Sequence, residues 1–170
     1  MSAPSMVRTR AWSLVRSIPD PEMPVVTIED LGILRDVVEH DQGSVHVTIT
    51  PTYSACPAME TIRDDIIRVL TEAGFWHVDV EFVLAPAWSS DWVTPLGRTK
   101  LAANGIVPPQ RAPGARGQAA SDPVALPLGA RCPRCDSSRT RETSRFGATS
   151  CKALWVCRDC LEPFESFKAI

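Results

Sequence analysis

Two short cysteine spacings constrain this chain more than anything else in it: Cys132-Pro133-Arg134-Cys135 and Cys157-Arg158-Asp159-Cys160, with 21 residues between them. Two residues between cysteines is the span of a tight turn. Two such turns facing each other present four thiolates to one tetrahedral metal ion. The forty residues from Arg131 to Ile170 are too few to bury a self-sufficient apolar core, so metal ligation has to supply folding energy. The spacing predicts a ribbon held by zinc in a structural role, with iron or an iron–sulfur cluster as the alternative metal. Disulfides are the other use of an even cysteine count. The paired spacing and the absence of a signal-peptide pattern in MSAPSMVRTRAWSLVRSIPDPEMP instead favour metal in a reducing cytoplasm. Asp136 follows the first pair where a left-handed residue is common, and Asp tolerates that conformation. Cys151 is the odd thiol here, either a small buried residue of a ribbon strand or an extra ligand.

Upstream the chain reads as an α+β domain. Thr9 to Ser17 suits a short helix with Trp12, Val15 and Leu14 inward, ended by the proline turn Pro19-Asp20-Pro21-Glu22-Met23-Pro24. Ile33 to Glu39 is predicted to be a strand. Val45 to Thr50 alternates strictly, with Val45, Val47 and Ile49 on one face, and Gly43 between the two runs suits a hairpin turn. From Pro57 to Ala73 the period changes: Met59, Ile62, Ile66, Val69, Leu70 and Ala73 fall at helical spacing, with Gly74 as the stop. Val78 to Leu84 alternates again, and Pro95 to Ala103 suits a second helix capped by Thr94 and stopped at Asn104-Gly105. Residues 107–130, rich in Pro, Gly and Ala without an apolar period, read as a flexible linker. The expected organisation is an α-β-β-α-β domain over residues 9–106, a linker over 107–130 and a cysteine ribbon over 131–170.

Cys56 precedes Pro57 at the start of the long helix. Free backbone N–H groups and the helix dipole there favour a thiolate. Cys56 is therefore a candidate metal-transfer ligand or redox-sensitive thiol, or else a small residue under a tight turn. Asp20, Glu22 and Asp30, in or near the proline turn, are candidate oxygen donors beside it, or solvated and capping groups. His40, His46 and His77 lack ligand spacing and receive no role. Residues 131–170 carry eight Lys/Arg against five Asp/Glu, too mild a bias for a nucleic-acid face. No run approaches the roughly 18 apolar residues of a membrane helix.

Several segments together resemble a known family. Asp20-Pro21-Glu22-Met23-Pro24-Val25 with Asp30-Leu31-Gly32, Thr50-Pro51-Thr52-Tyr53-Ser54-Ala55-Cys56-Pro57 and Pro86-Ala87-Trp88 resemble the iron–sulfur assembly domain of SufT-like proteins. Trp88-Ser89-Ser90-Asp91-Trp92 and the ending CKALWVCRDCLEPFESFK resemble the D subunits of phenylacetyl-CoA epoxidase systems. Ala55 stands where that domain has glycine, and Ala169 where family members often carry cysteine. The resemblance implies an accessory role in aerobic phenylacetate breakdown: a maturation or iron–sulfur delivery factor for the oxygenase and reductase subunits. A stoichiometric structural component of the complex is the rival reading, and a nucleic-acid-binding ribbon the rival from another class. The chain shows neither the carboxylate–histidine helices of a di-iron centre nor a dinucleotide fingerprint, so the implied role is not itself catalytic.

Overall fold

A computed structural model describes residues 9–40, 43–53, 57–109 and 129–168. Its contacts divide the chain between Ala87 and Trp88 into two units. None of its described helices is long and apolar enough to cross a membrane.

The first unit opens with α1 (Arg10–Val15), whose N-terminus is capped by the Thr9 hydroxyl accepting the Trp12 N–H. It buries Ala11 and Val15, and the Ala11 N–H donates to the Glu39 carboxylate on the first strand. The proline turn follows, closed by a bridge between Pro19 and Thr27. Strand β1 (Leu34–His40) then pairs antiparallel with β2 (Ser44–Ile49), Val37 opposite Val47. Gly43, at φ +78°, supplies the left-handed residue before β2. From β2 the chain crosses through α2 (Ala58–Glu72) to β3 (His77–Phe82), which lies parallel to β2 with Val47 opposite Val80. Such a crossover carries its helix across one sheet face. Ala58, Met59, Ile62, Ile66 and Leu70 are the buried positions of α2, and Val45, Val47 and Ile49 are buried on β2. The other sheet face is polar: His46 Nδ1 lies 2.8 Å from Asp79 and its Nε2 lies 3.2 Å from Glu81. The α-β-β-α-β order is the one expected. The helix begins one residue later than read, with Pro57 at the N-cap position.

In the second unit the Ser89 hydroxyl caps a single 3-10 turn at Ser90–Trp92. Helix α3 (Pro95–Ala103) follows, with the Thr94 hydroxyl accepting the Gly97 N–H and Gly105 at φ +75° beyond its end. The two-residue β4 (Ile106–Val107) joins a sheet with β5 (Thr140–Ser144), β6 (Lys152–Cys157) and β7 (Pro163–Phe167), in the order β4-β7-β6-β5. β4 runs parallel to β7, with Ile106 opposite Glu165. Trp88 packs its ring 5.8 Å from that of Phe167, and Arg98 donates to the carbonyls of Ser90, at 2.7 Å, and Pro109. Residues 88–109 thus pack with the ribbon. The division at Ala87 precedes the boundary at residue 106 expected from composition, because composition marks where periodicity stops and not which sheet a short strand joins.

Candidate metal centre

Both cysteine turns sit at one end of the ribbon sheet, and local hydrogen bonding gives them nearly the same backbone. In the first, the Cys132 N–H donates to the Ser137 carbonyl at 3.0 Å, and Asp136 takes φ +56°. In the second, the Cys157 N–H donates to the Glu162 carbonyl at 2.9 Å, and Leu161 takes φ +63°. The fifth residue of each turn is therefore left-handed, a conformation that costs a residue with a Cβ about 1–2 kcal/mol. β6 ends on Cys157 and β7 starts at Pro163, so the second turn is the β6–β7 connection itself. Cys132, Cys157, Ala130 and Phe164 form a buried cluster beneath the turns, against which Val107, Trp155 and Cys160 pack.

The sulfurs of Cys132, Cys135, Cys157 and Cys160 all lie within 4.8 Å of one another. The pairs Cys132–Cys160 and Cys135–Cys157 are each 3.6 Å apart. Four thiolates at about 2.3 Å from one tetrahedral ion stand about 3.8 Å apart, so the donor set fits a single zinc-sized ion. Disulfides require sulfurs about 2.05 Å apart and do not fit these separations. A cluster of two or more irons would spread the two thiolate pairs wider than this quartet.

Crowding the sulfurs perturbs their acidity unequally. The Cys157 thiol is lowered to about 6, chiefly because the backbone N–H of Cys160 points at its sulfur, assisted by that of Asp159 at 3.4 Å. At Cys135 the Ser137 N–H also favours the thiolate. There, hydrogen bonds shared with the Cys160, Cys157 and Cys132 sulfurs, together with burial, outweigh it and push the thiol up to about 12. Cys160 is likewise raised: the Glu162 N–H pulls it down, but burial and the neighbouring sulfurs prevail. Four negative sulfurs this close need a cation, which is the electrostatic signature of a metal site. Three ion pairs stitch the turns from outside: Arg134–Glu162 at 2.7 Å, Arg139–Asp159 at 2.8 Å and Arg131–Asp136 at 3.2 Å. Being exposed, each adds little to stability.

Cys151 stands outside this quartet. It is buried just ahead of β6, its sulfur 3.1 Å from the Thr149 hydroxyl. The length of β6 separates it from Cys157, roughly 20 Å at about 3.3 Å per strand residue. An extra-ligand role for Cys151 is therefore ruled out by distance.

In the first unit the candidate oxygen donors serve the proline turn. Asp20 is buried, and its Oδ1 accepts the N–H groups of Glu22, at 2.9 Å, and Met23, at 2.8 Å. Burial raises its pKa despite those two bonds. Asp30 is also buried; its Oδ2 accepts the Thr27 N–H at 3.0 Å, while the Thr27 hydroxyl accepts the Asp30 N–H at 3.1 Å. Among the described residues Asp20, Glu22 and Asp30 do not converge as a metal-ligand group. Cys56, with Ser54 and Ala55, lies outside the described residues, as does Ala169. The left-handed backbone at Leu161 had no sequence signal, since leucine is among the residues least suited to it.

Two family models match the chain, each over one part of it. The iron–sulfur cluster assembly protein family matches residues 8–82, and the PaaD zinc beta ribbon domain matches residues 117–168. Across nearly the whole length, the chain is 46% identical to an Escherichia coli (strain K12) protein described as the putative D subunit of 1,2-phenylacetyl-CoA epoxidase, covering 94% of this chain and 91% of that one. This chain belongs to the D-subunit family of phenylacetyl-CoA epoxidases. The family's N-terminal part has separate kin. An Fe-S protein maturation auxiliary factor of Porphyromonas gingivalis (strain ATCC BAA-308 / W83) is 33% identical, over 48% of this chain and 77% of that protein. The crystal structure of a domain of unknown function, DUF59, from Bacillus anthracis superposes with a TM-score of 0.50 and 26% identity, over 54% of this chain and 87% of that chain. These matches agree with the α+β assembly-type unit followed by a four-cysteine ribbon.

Proposed function

We propose that this chain is an accessory protein of the phenylacetyl-CoA epoxidase system that matures the oxygenase or the reductase by delivering iron or an iron–sulfur cluster. One observation carries the reading: a single polypeptide joins a unit akin to Fe-S maturation factors with the ribbon characteristic of the epoxidase D subunits. In this reading Cys56 is the working thiol, with Asp20, Glu22 and Asp30 shaping the turn near it. Cys132, Cys135, Cys157 and Cys160 hold a resident zinc ion, which supplies folding energy and no chemistry, since four protein ligands leave no open position. The place of work is the cytoplasm, where thiols stay reduced.

An assembly factor acts before turnover, and the test uses that timing. Oxygenase and reductase made alongside this chain and then freed of it are expected to carry full iron and to epoxidise phenylacetyl-CoA at full rate. The same subunits made without it should be under-loaded and nearly inactive. Fully loaded subunits that stay inactive until stoichiometric chain is returned would replace this reading with that of a structural component. Cys56→Ser, whose hydroxyl retains capping ability, should leave the melting curve in place and abolish loading. Wild-type iron content with that variant would make Cys56 a packing residue.

A further inference from the structure

The second cysteine turn displays an apolar side chain that the fold does not require. Leu161 is 73% exposed, so no interior contact compensates its left-handed backbone, φ +63°. The first turn is an internal control. Asp136 holds the equivalent position at φ +56°, and a short polar residue tolerates that backbone better than leucine does. Around Leu161 the surface is partly apolar, with Pro133 and Pro163 both exposed. The Arg134–Glu162 ion pair, at 2.7 Å, brings the first turn against the second at this point. Arg158, in the same turn as Leu161, is exposed and has no ion pair among the described residues.

We propose that the metal-bearing end of the ribbon is a docking surface, with Leu161 as its anchor in an apolar, acid-rimmed pocket on the oxygenase or reductase. The proposal rests on the accessory reading above and adds the site of contact. Leucine presented on a rigid, metal-braced turn is pre-ordered for insertion, so little conformational freedom is lost on binding. The exposed Arg158 supplies the charge that an acidic rim would meet. A strained backbone that carries an exposed apolar side chain is the kind of local conflict expected at functional positions.

The test uses the full-length, metal-loaded chain with Leu161→Gly, Leu161→Asn and Leu161→Met. Glycine and asparagine suit the left-handed backbone, so both variants are expected to keep their zinc content and to melt at or above the wild-type temperature. Binding to purified oxygenase and reductase, measured by titration calorimetry, is expected to weaken at least about tenfold in both. Leu161→Met, apolar and of similar volume, should bind within about threefold of wild type. Unchanged binding by the glycine variant would overturn the anchor while leaving the accessory role standing. A lower melting temperature for the glycine variant would show that Leu161 is a packing residue. Self-association of the wild-type chain that the glycine variant abolishes would place the pocket on a second copy and overturn the stated partner. Wild-type chain that binds neither the oxygenase nor the reductase would overturn the anchor and also the docking step of the accessory reading.

Discussion

Asp20 shows how a buried charge tunes this protein at the scale of one residue. Its carboxylate bonds two backbone N–H groups, yet burial dominates and raises its pKa above the ordinary 3.8. A folded-state pKa above the unfolded one means that the protonated form is favoured on folding. Its stabilising contribution is complete below about pH 3.8 and is lost as pH rises through the folded value. Asp20→Asn keeps an acceptor for both N–H groups and removes the titration. Its stability, followed by denaturant melts from pH 4 to 7, should fall less with rising pH than that of wild type. Asp20→Ala, which leaves the buried Met23 N–H unpaired, should cost about 1–3 kcal/mol at every pH. Gly43 provides a second check on the residue scale. At φ +78°, with the Trp76 ring 3.3 Å from an added Cβ, Gly43→Ala should destabilise the first unit by about 1 kcal/mol or more. Thermal denaturation at fixed pH measures this directly.

At the scale of the element, the sequence was legible wherever a local rule acted alone. Alternation at Val45, Val47 and Ile49 located β2, and helical spacing at Ile62, Ile66 and Leu70 located α2. The Thr94-Pro95 start and Gly105 stop set the limits of α3. Asp136 adopts the left-handed conformation its chemistry allows. Elements fixed by distant partners were not legible. β4 has two residues and no period, and its existence depends on β7, far later in the chain. β5, Thr-Arg-Glu-Thr-Ser, has no apolar alternation, because an edge strand can be polar on both faces. On β3 the alternation was visible but its burial was not: Phe82 is 36% exposed. For the candidate sites, spacing alone yielded the four ribbon cysteines, whereas the buried state of Asp20 and Asp30 depends on how the proline turn folds back. The metal prediction belongs at this scale. Chelation of the full chain should melt the ribbon strands β5, β6 and β7 while sparing β1, β2 and β3. Amide exchange by strand should show protection lost in residues 140–167 and kept in 34–82, with recovery on adding zinc.

On the scale of the whole molecule, the topology reassigns the role of the Pro/Gly/Ala-rich stretch. Both of its flanks, Trp88 to Pro109 and Gly129 to Lys168, belong to the second unit. It is a long loop that leaves a sheet at β4 and returns to the same sheet. Cutting it should therefore not separate the molecule. If a protease site is built into residues 110–128 and cleaved, the two pieces should still elute together from a sizing column. They should part only in denaturant, since α3, β4 and Trp88 remain packed with the ribbon.

The same topology has a consequence for reach. Entropic cost grows slowly with loop length, about 0.6 kcal/mol for each doubling, so evolution or an engineer can lengthen this excursion almost at will. Such lengthening adds nothing to the separation the two units can attain, because the loop's ends are pinned by one sheet. The covalent joint that governs how far the Cys56-bearing unit travels from the ribbon is the short stretch after β3, Val83 to Ala87, where the chain has little length to give. The molecule is tethered at close range, and the segment with the composition of a leash is not the leash.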